Sequence, residues 1–183
     1  MNVLAVVVAL LAVVTALNLF ILLGVVRRLR EMSASAAAAP VDDGLPEPGT
    51  AVGGFIATTP DGGTVTEADL ATGRSLVVLL TPTCAPCRDT ADRLVAQRDR
   101  LPANTFVLVD AEGDEPELAP FLEKLAGVRT VAVLAPGTSS HLTFGTEGFP
   151  TSLVIEDGRL SFASFRLGDA LKRLPDRALA TPR

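Results

Sequence analysis

The chain has 183 residues and a formal net charge of −5, with two cysteines and one histidine. Three of its 16 basic residues, Arg27, Arg28 and Arg30, flank an apolar run, so residue 31 onward carries 13 basic against 21 acidic side chains, a balance that argues against nucleic-acid binding. Two cysteines make no disulfide framework, and a lone Cys-x-x-Cys lacks the second half of a structural zinc site.

The first element is the uncharged run Val3 to Val26. As a helix its 24 residues extend about 36 Å, against a hydrocarbon core of about 30 Å, so it is read as a transmembrane helix. Only Met1 and Asn2 precede it, without the basic start of a signal peptide, so the reading is an uncleaved anchor. The flanking arginines all follow the span, which by the positive-inside rule puts the rest of the chain in the cytoplasm. Ser33 to Thr50 is small, polar and proline-rich, the composition of a flexible tether.

From Ala51 the pattern turns globular. Gly54 to Thr58 and Thr64 to Thr66 are strand candidates around Pro60-Asp61-Gly62-Gly63, a tight-turn composition that makes them a hairpin. Glu67 to Ala71 reads as one helical turn, and Ser75 to Thr81 as a buried strand. A helix-like segment, Asp89 to Leu101, follows, with Ala91, Leu94 and Val95 inward and Asp89, Asp92, Arg93, Arg98 and Arg100 in water. Thr105 to Asp110 is a second buried strand, Ala111 to Pro116 a loop, Glu117 to Ala126 a helix and Val131 to Leu134 a third strand. Ala135 to Phe149 reads as irregular and holds His141, for which a surface or satisfied-core role is favoured over metal ligation. Thr151 to Glu156 and Leu160 to Ser164 form a hairpin over Asp157-Gly158, and Leu167 to Leu174 is a last amphipathic helix.

Cys84-Ala85-Pro86-Cys87 sits where the buried strand gives way to the helix. Attack on a disulfide needs a thiolate, an accessible sulfur and a second thiol to resolve the mixed disulfide. With Cys84 at the helix N-cap and Cys87 one turn inside, Cys84 is the exposed attacking sulfur and Cys87 the resolver, while Pro86 suits a first turn where no N–H is lost. Arg88 either favours the thiolate or is a solvated helix residue. The second informative stretch is Gly148-Phe149-Pro150-Thr151, a proline at the start of an apolar strand.

Together the Cys-x-x-Cys junction, Pro150, and the closing hairpin and helix resemble the thioredoxin superfamily, and more narrowly its membrane-anchored TlpA/ResA-like and MauD-like redoxins, over about residues 48 to 174. The resemblance implies an α/β thioredoxin-like sandwich with an N-terminal hairpin extension, preceded by one transmembrane helix. It also implies a cis Pro150 opposite Cys84, with Thr83, Phe149, Pro150 and Thr151 contacting substrate and no cofactor beyond a Cys84–Cys87 redox disulfide. The expected domains are 1–30 (anchor and basic flank), 31–50 (linker), 51–176 (redox domain) and 177–183 (tail). The expected activity is thiol-disulfide exchange on protein disulfides, reductive rather than oxidative, with protein thiols and a membrane electron donor as partners. Such domains lie outside the cytoplasmic membrane, against the arginine count.

Two departures stand out. Many thioredoxins carry a buried acid six residues before the attacking cysteine, and Val78 stands there; Glu147 is a loop acid with a solvated role favoured over one at the site. Two rivals stay open: a non-catalytic binding module with a structural disulfide, and a peroxiredoxin-like peroxidase suggested by Thr81-x-x-Cys84, although Val77 replaces the upstream proline of that motif. No metal is expected.

Overall fold

The computed structural model describes residues 44–111 and 116–174, together with residues 7, 8, 10–12 and 14–16. The chain divides into two compact units, Met1–Asp43 and Gly44–Arg183. In the first, the described residues are helical, and Thr15 donates its hydroxyl to the Leu11 carbonyl at 2.8 Å. Among the described residues no helix is long and apolar enough to cross a membrane; most of the Val3 to Val26 run, and the linker up to residue 43, lie outside them.

The second unit runs β1 (Ile56–Thr58), β2 (Thr64–Thr66), a 3-10 turn (Glu67–Leu70), β3 (Arg74–Leu80), α1 (Ala85–Ala96), a 3-10 turn (Arg98–Arg100), β4 (Thr105–Val109), α2 (Leu118–Lys124), β5 (Thr130–Leu134), α3 (Ser140–Phe144), β6 (Thr151–Glu156), β7 (Arg159–Ser164) and α4 (Leu167–Arg173). These make one sheet ordered β2-β1-β5-β4-β3-β6-β7. β3, β4 and β5 run parallel, and β6, β7 and the β1–β2 hairpin pair antiparallel.

The apolar run of β3 follows from its place between β4 and β6 with both faces covered. Leu76, Val78 and Leu80 face one core with Cys87, Ala91 and Leu94 of α1 and Leu167 and Ala170 of α4; Val77 and Leu79 face the other with Phe55, Leu70 and Phe144. Side chains alternate along a strand, so one short stretch serves both layers. The turn between β6 and β7 places Asp157 at φ 49° and Gly158 at φ 75°, the left-handed pair that suits a two-residue hairpin.

Several boundaries differ from the sequence reading. α1 begins at Ala85 rather than near Asp89, because Cys84 caps it and Ala85 and Pro86 fill its first turn. It stops at Ala96 rather than reaching Leu101, which lies before Pro102 and is extended at φ −69°, ψ 141°. The stretch 135–149, read as irregular, contains α3, opened by Ser139, whose hydroxyl accepts from the Leu142 N–H, and closed by Gly145 at φ 69°. Five residues are too few for a helical period to show.

Residues 44–53 lie against the sheet edge and α3. Gly49 N–H donates to Leu160 O at 2.7 Å, Leu160 N–H to Thr50 O at 2.8 Å, Val52 N–H to Gly158 O at 3.0 Å and Gly53 N–H to Thr143 O at 2.8 Å. This segment covers the edge strand β7, whose unpaired groups would otherwise invite another chain.

Candidate dithiol site

β3 delivers the chain to Thr81 at the carboxyl end of the parallel strands, and α1 leaves from Cys84 three residues later. The connecting turn is held twice: the Thr81 and Thr83 hydroxyls are 3.2 Å apart, and Arg88 Nε donates to Pro82 O at 3.2 Å. Arg88 therefore braces the turn, a role its sequence position does not advertise.

Cys84 is the N-cap of α1. Its Sγ accepts the Cys87 N–H at 3.2 Å, and its carbonyl accepts from Cys87 N and Arg88 N, each at 3.2 Å. An N–H from the first turn, pointed at a sulfur, stabilises negative charge there. Cys84 is half-buried and Cys87 fully buried; both are free thiols. Burial, followed by the hydrogen bond with Cys84, pushes the Cys87 thiol up to about 12, with the Thr81 backbone acting in the opposite sense. The two sulfurs are thus in unlike environments, one within reach of solvent and facing donors, the other kept protonated in an apolar layer.

Across from Cys84 lies the loop before β6. The Phe149–Pro150 peptide is cis, and the Cys84 thiol lies 3.7 Å from Phe149 O, positioned to donate to it. Pro150 and Thr151 are buried, Phe149 is partly buried and Thr83 is exposed. A hydroxyl cluster fixes this loop: Thr146 and Thr151 Oγ1 are 2.9 Å apart, and both donate to Gly148 O, at 3.2 and 2.5 Å. Thr146 was not singled out from sequence, since nothing local marks a threonine five residues before its partner. Gly148 leaves room for Phe165, whose Cε1 would lie 3.1 Å from a Cβ at that position.

Other titratable groups stand apart from the sulfurs. Glu147 is exposed and faces His141, with Oε1 3.5 Å from Nε2. Asp110, at the end of β4, accepts from the Ser140 hydroxyl, and its N–H donates to Leu80 O at 2.8 Å. Val78, where many thioredoxins carry an acid, is fully buried among aliphatic neighbours.

No protein-family model matches this sequence, and no curated protein matches it. Solved structures do. The thioredoxin domain of a thiol-disulfide oxidoreductase from Bacteroides vulgatus aligns with a TM-score of 0.56 at 15% identity, covering 70% of this chain and 95% of that one. A thiol:disulfide interchange protein from Bacteroides sp. aligns at 0.54 and 17% identity, covering 71% and 88%. A thiol:disulfide interchange protein of the thioredoxin family from Chlorobium tepidum aligns at 0.52 and 22%, covering 74% and 99%.

The fold is thioredoxin-like. In this thioredoxin-like frame Cys84-Ala85-Pro86-Cys87 and Phe149-Pro150, separated in sequence by two strands (β4, β5) and two further helices (α2, α3), meet at one end of the sheet.

Proposed function

We propose that this chain is a thiol-disulfide oxidoreductase acting on protein disulfides, in which Cys84 attacks and Cys87 resolves. One observation carries the reading: Cys84 Sγ sits between the Cys87 N–H at 3.2 Å and the carbonyl of the cis Phe149–Pro150 unit at 3.7 Å. An attacking sulfur, a donor for its charge and an adjacent backbone edge for an extended substrate are thereby in one place. Thr83 and the Phe149–Pro150 backbone edge form the substrate-facing rim, and the buried Thr151 holds that edge from behind. The direction we assign to it is reductive, and a measured reduction potential of the Cys84–Cys87 pair tests it.

The chain is held at a membrane by the 3–26 run, with the redox domain on the extracytoplasmic face and reduced by a membrane electron donor. Protection of Cys84 from an impermeant thiol label in intact cells would overturn that sidedness.

The reaction is tested by replacing Cys87 with Ala. Mixed disulfides should accumulate on Cys84 and identify the client proteins. Insulin-type disulfide reduction should vanish in Cys84→Ser; activity that survives this substitution ends the assignment.

A further inference from the structure

The turn that holds Cys84 borders a groove that thiol exchange itself does not need. Pro82 and Arg88 line it from the catalytic turn and the start of α1, and Pro116, Pro120 and Phe121 line it from the start of α2, around a volume of ≈ 430 Å³. Pockets that enclose a ligand run from about 300 to 1,000 Å³. Arg88 joins the groove to the reacting residue: its backbone N–H donates to the Cys84 carbonyl at 3.2 Å, and its Nε to Pro82 O at 3.2 Å. β4, which leads to α2, and β6, which the Phe149 loop opens, flank β3 on opposite sides. A client segment laid along Phe149 and joined to Cys84 by a mixed disulfide therefore continues toward the groove on the far side.

The lining decides what fits there. Pro82, Pro116 and Pro120 have no N–H to donate, and Pro82 and Phe121 are buried, so the floor is apolar. The charges at the groove cancel. Lys124 is bonded to Asp92 of α1 at 2.7 Å, and of the other two charged lining residues Arg88 is a cation and Glu117 an anion. A charged client residue gains no net attraction from such a lining, whereas an apolar one gives up no hydrogen bond on entering it. Arg88 narrows the choice further. With its Nε held on Pro82 O the guanidinium keeps one plane beside the groove, and a fixed guanidinium plane stacks on an aromatic ring in preference to an aliphatic chain.

We propose that this groove is a specificity subsite for the client polypeptide, taking an aromatic side chain that flanks the client's disulfide cysteine. This rests on the dithiol reading above and deepens it, by naming which disulfides are attacked fastest. The Cys84 thiolate attacks the client sulfur, the client's S–S bond breaks, and the departing sulfur leaves with the electron pair. An aromatic ring held between Arg88 and the exposed Pro116 and Pro120 keeps the client cysteine at Cys84 during that exchange.

The test uses the full chain in detergent, reduced, with peptides of one design whose single cysteine is joined to thionitrobenzoate and flanked on both sides by phenylalanine, leucine, glycine, aspartate or lysine. Attack on the peptide sulfur expels the coloured thiolate, and its second-order rate constant is read by stopped flow and divided by that of mercaptoethanol with the same peptide. The phenylalanine peptide should react on the order of tenfold faster than the glycine peptide, the effect of burying part of one aromatic side chain, with leucine between them. Pro120→Asp puts a carboxylate into the groove at a first-turn helix position that favours an acid, and Pro116→Asp does so from the loop before it. In both variants the phenylalanine-to-glycine ratio should fall towards one while the glycine peptide reacts as it does with the parent. Equal rates for the two peptides with the parent overturn the proposal, as does a preference that survives both substitutions. An aspartate or lysine peptide that reacts fastest overturns the apolar occupant, and a leucine peptide matching phenylalanine overturns the stacking on Arg88. Self-association of the parent that Pro120→Asp abolishes, read by sedimentation, makes the occupant a second copy of the chain and overturns it too. Colour release from the glycine peptide that persists in Cys84→Ser would instead refute the dithiol reading itself.

Discussion

The inequality of the two thiols can be measured directly. At pH 7 a thiol at about 12 is about 10⁻⁵ ionised, against about 10⁻² at the ordinary value of 9.0, a thousandfold deficit in thiolate for Cys87. A more basic thiolate is intrinsically more nucleophilic, and a Brønsted slope of about 0.4–0.5 returns roughly 15- to 30-fold of that. Cys87 should therefore alkylate at least about 30-fold more slowly than a free model thiol, before any slowing from its complete burial. The assay is iodoacetamide labelling of the reduced protein over a pH series, with the single cysteine-bearing peptide region read by mass spectrometry. Cys84 should label first, and Cys87 should gain about tenfold per pH unit up to about 12. Labelling of Cys87 at pH 7 as fast as a model thiol would refute the argument that burial governs it.

Three further outcomes follow from the packing. The Cys87 thiol ionises more readily in the unfolded chain, so the folded state holds the extra proton and stability falls as pH rises from about 9 towards 12; Cys87→Ser should lack this part of the slope in melts at pH 8 and 10. Thr151→Val keeps the shape of a fully buried side chain but removes its bonds to Thr146 and Gly148, which should cost about 1–2 kcal/mol in denaturant unfolding and lower disulfide-reduction activity by loosening the Phe149–Pro150 loop. Gly145→Ala imposes a side chain at φ 69° with its Cβ 3.0 Å from that of Pro46, and should destabilise by about 1–2 kcal/mol, read as a fall in Tm.

Much of the local architecture was legible because its causes are local. Cys84 and Pro86 announce a helix start within three residues, Asp157-Gly158 announces a hairpin, and the unbroken apolar run from Leu76 to Leu80 marks a strand covered on both faces. The cis Phe149–Pro150 unit was implied by resemblance alone. α3 escaped notice because one and a half turns leave no periodic trace, and its signals, Ser139 as cap and Gly145 as stop, are also ordinary loop residues. Residues 44–50 carry a tether's composition, yet Gly49 and Thr50 bond to Leu160, more than a hundred positions away.

What the sequence determined by itself is the reacting pair and its setting: two thiols one helical turn apart, at the end of a buried strand, with a proline loop awaiting a partner. What only the tertiary structure decided is which groups face those thiols. Strand order put Val78 and Val154, on the paired strands β3 and β6, in the layer that buries Cys87, and brought the Phe149 carbonyl to Cys84 Sγ. Register and strand order are set by contacts between residues far apart in the chain, and a one-residue slip would turn each of these side chains to the other face. The composition of the site is written within four residues, whereas the surroundings of its two sulfurs depend on strands and helices packing side by side.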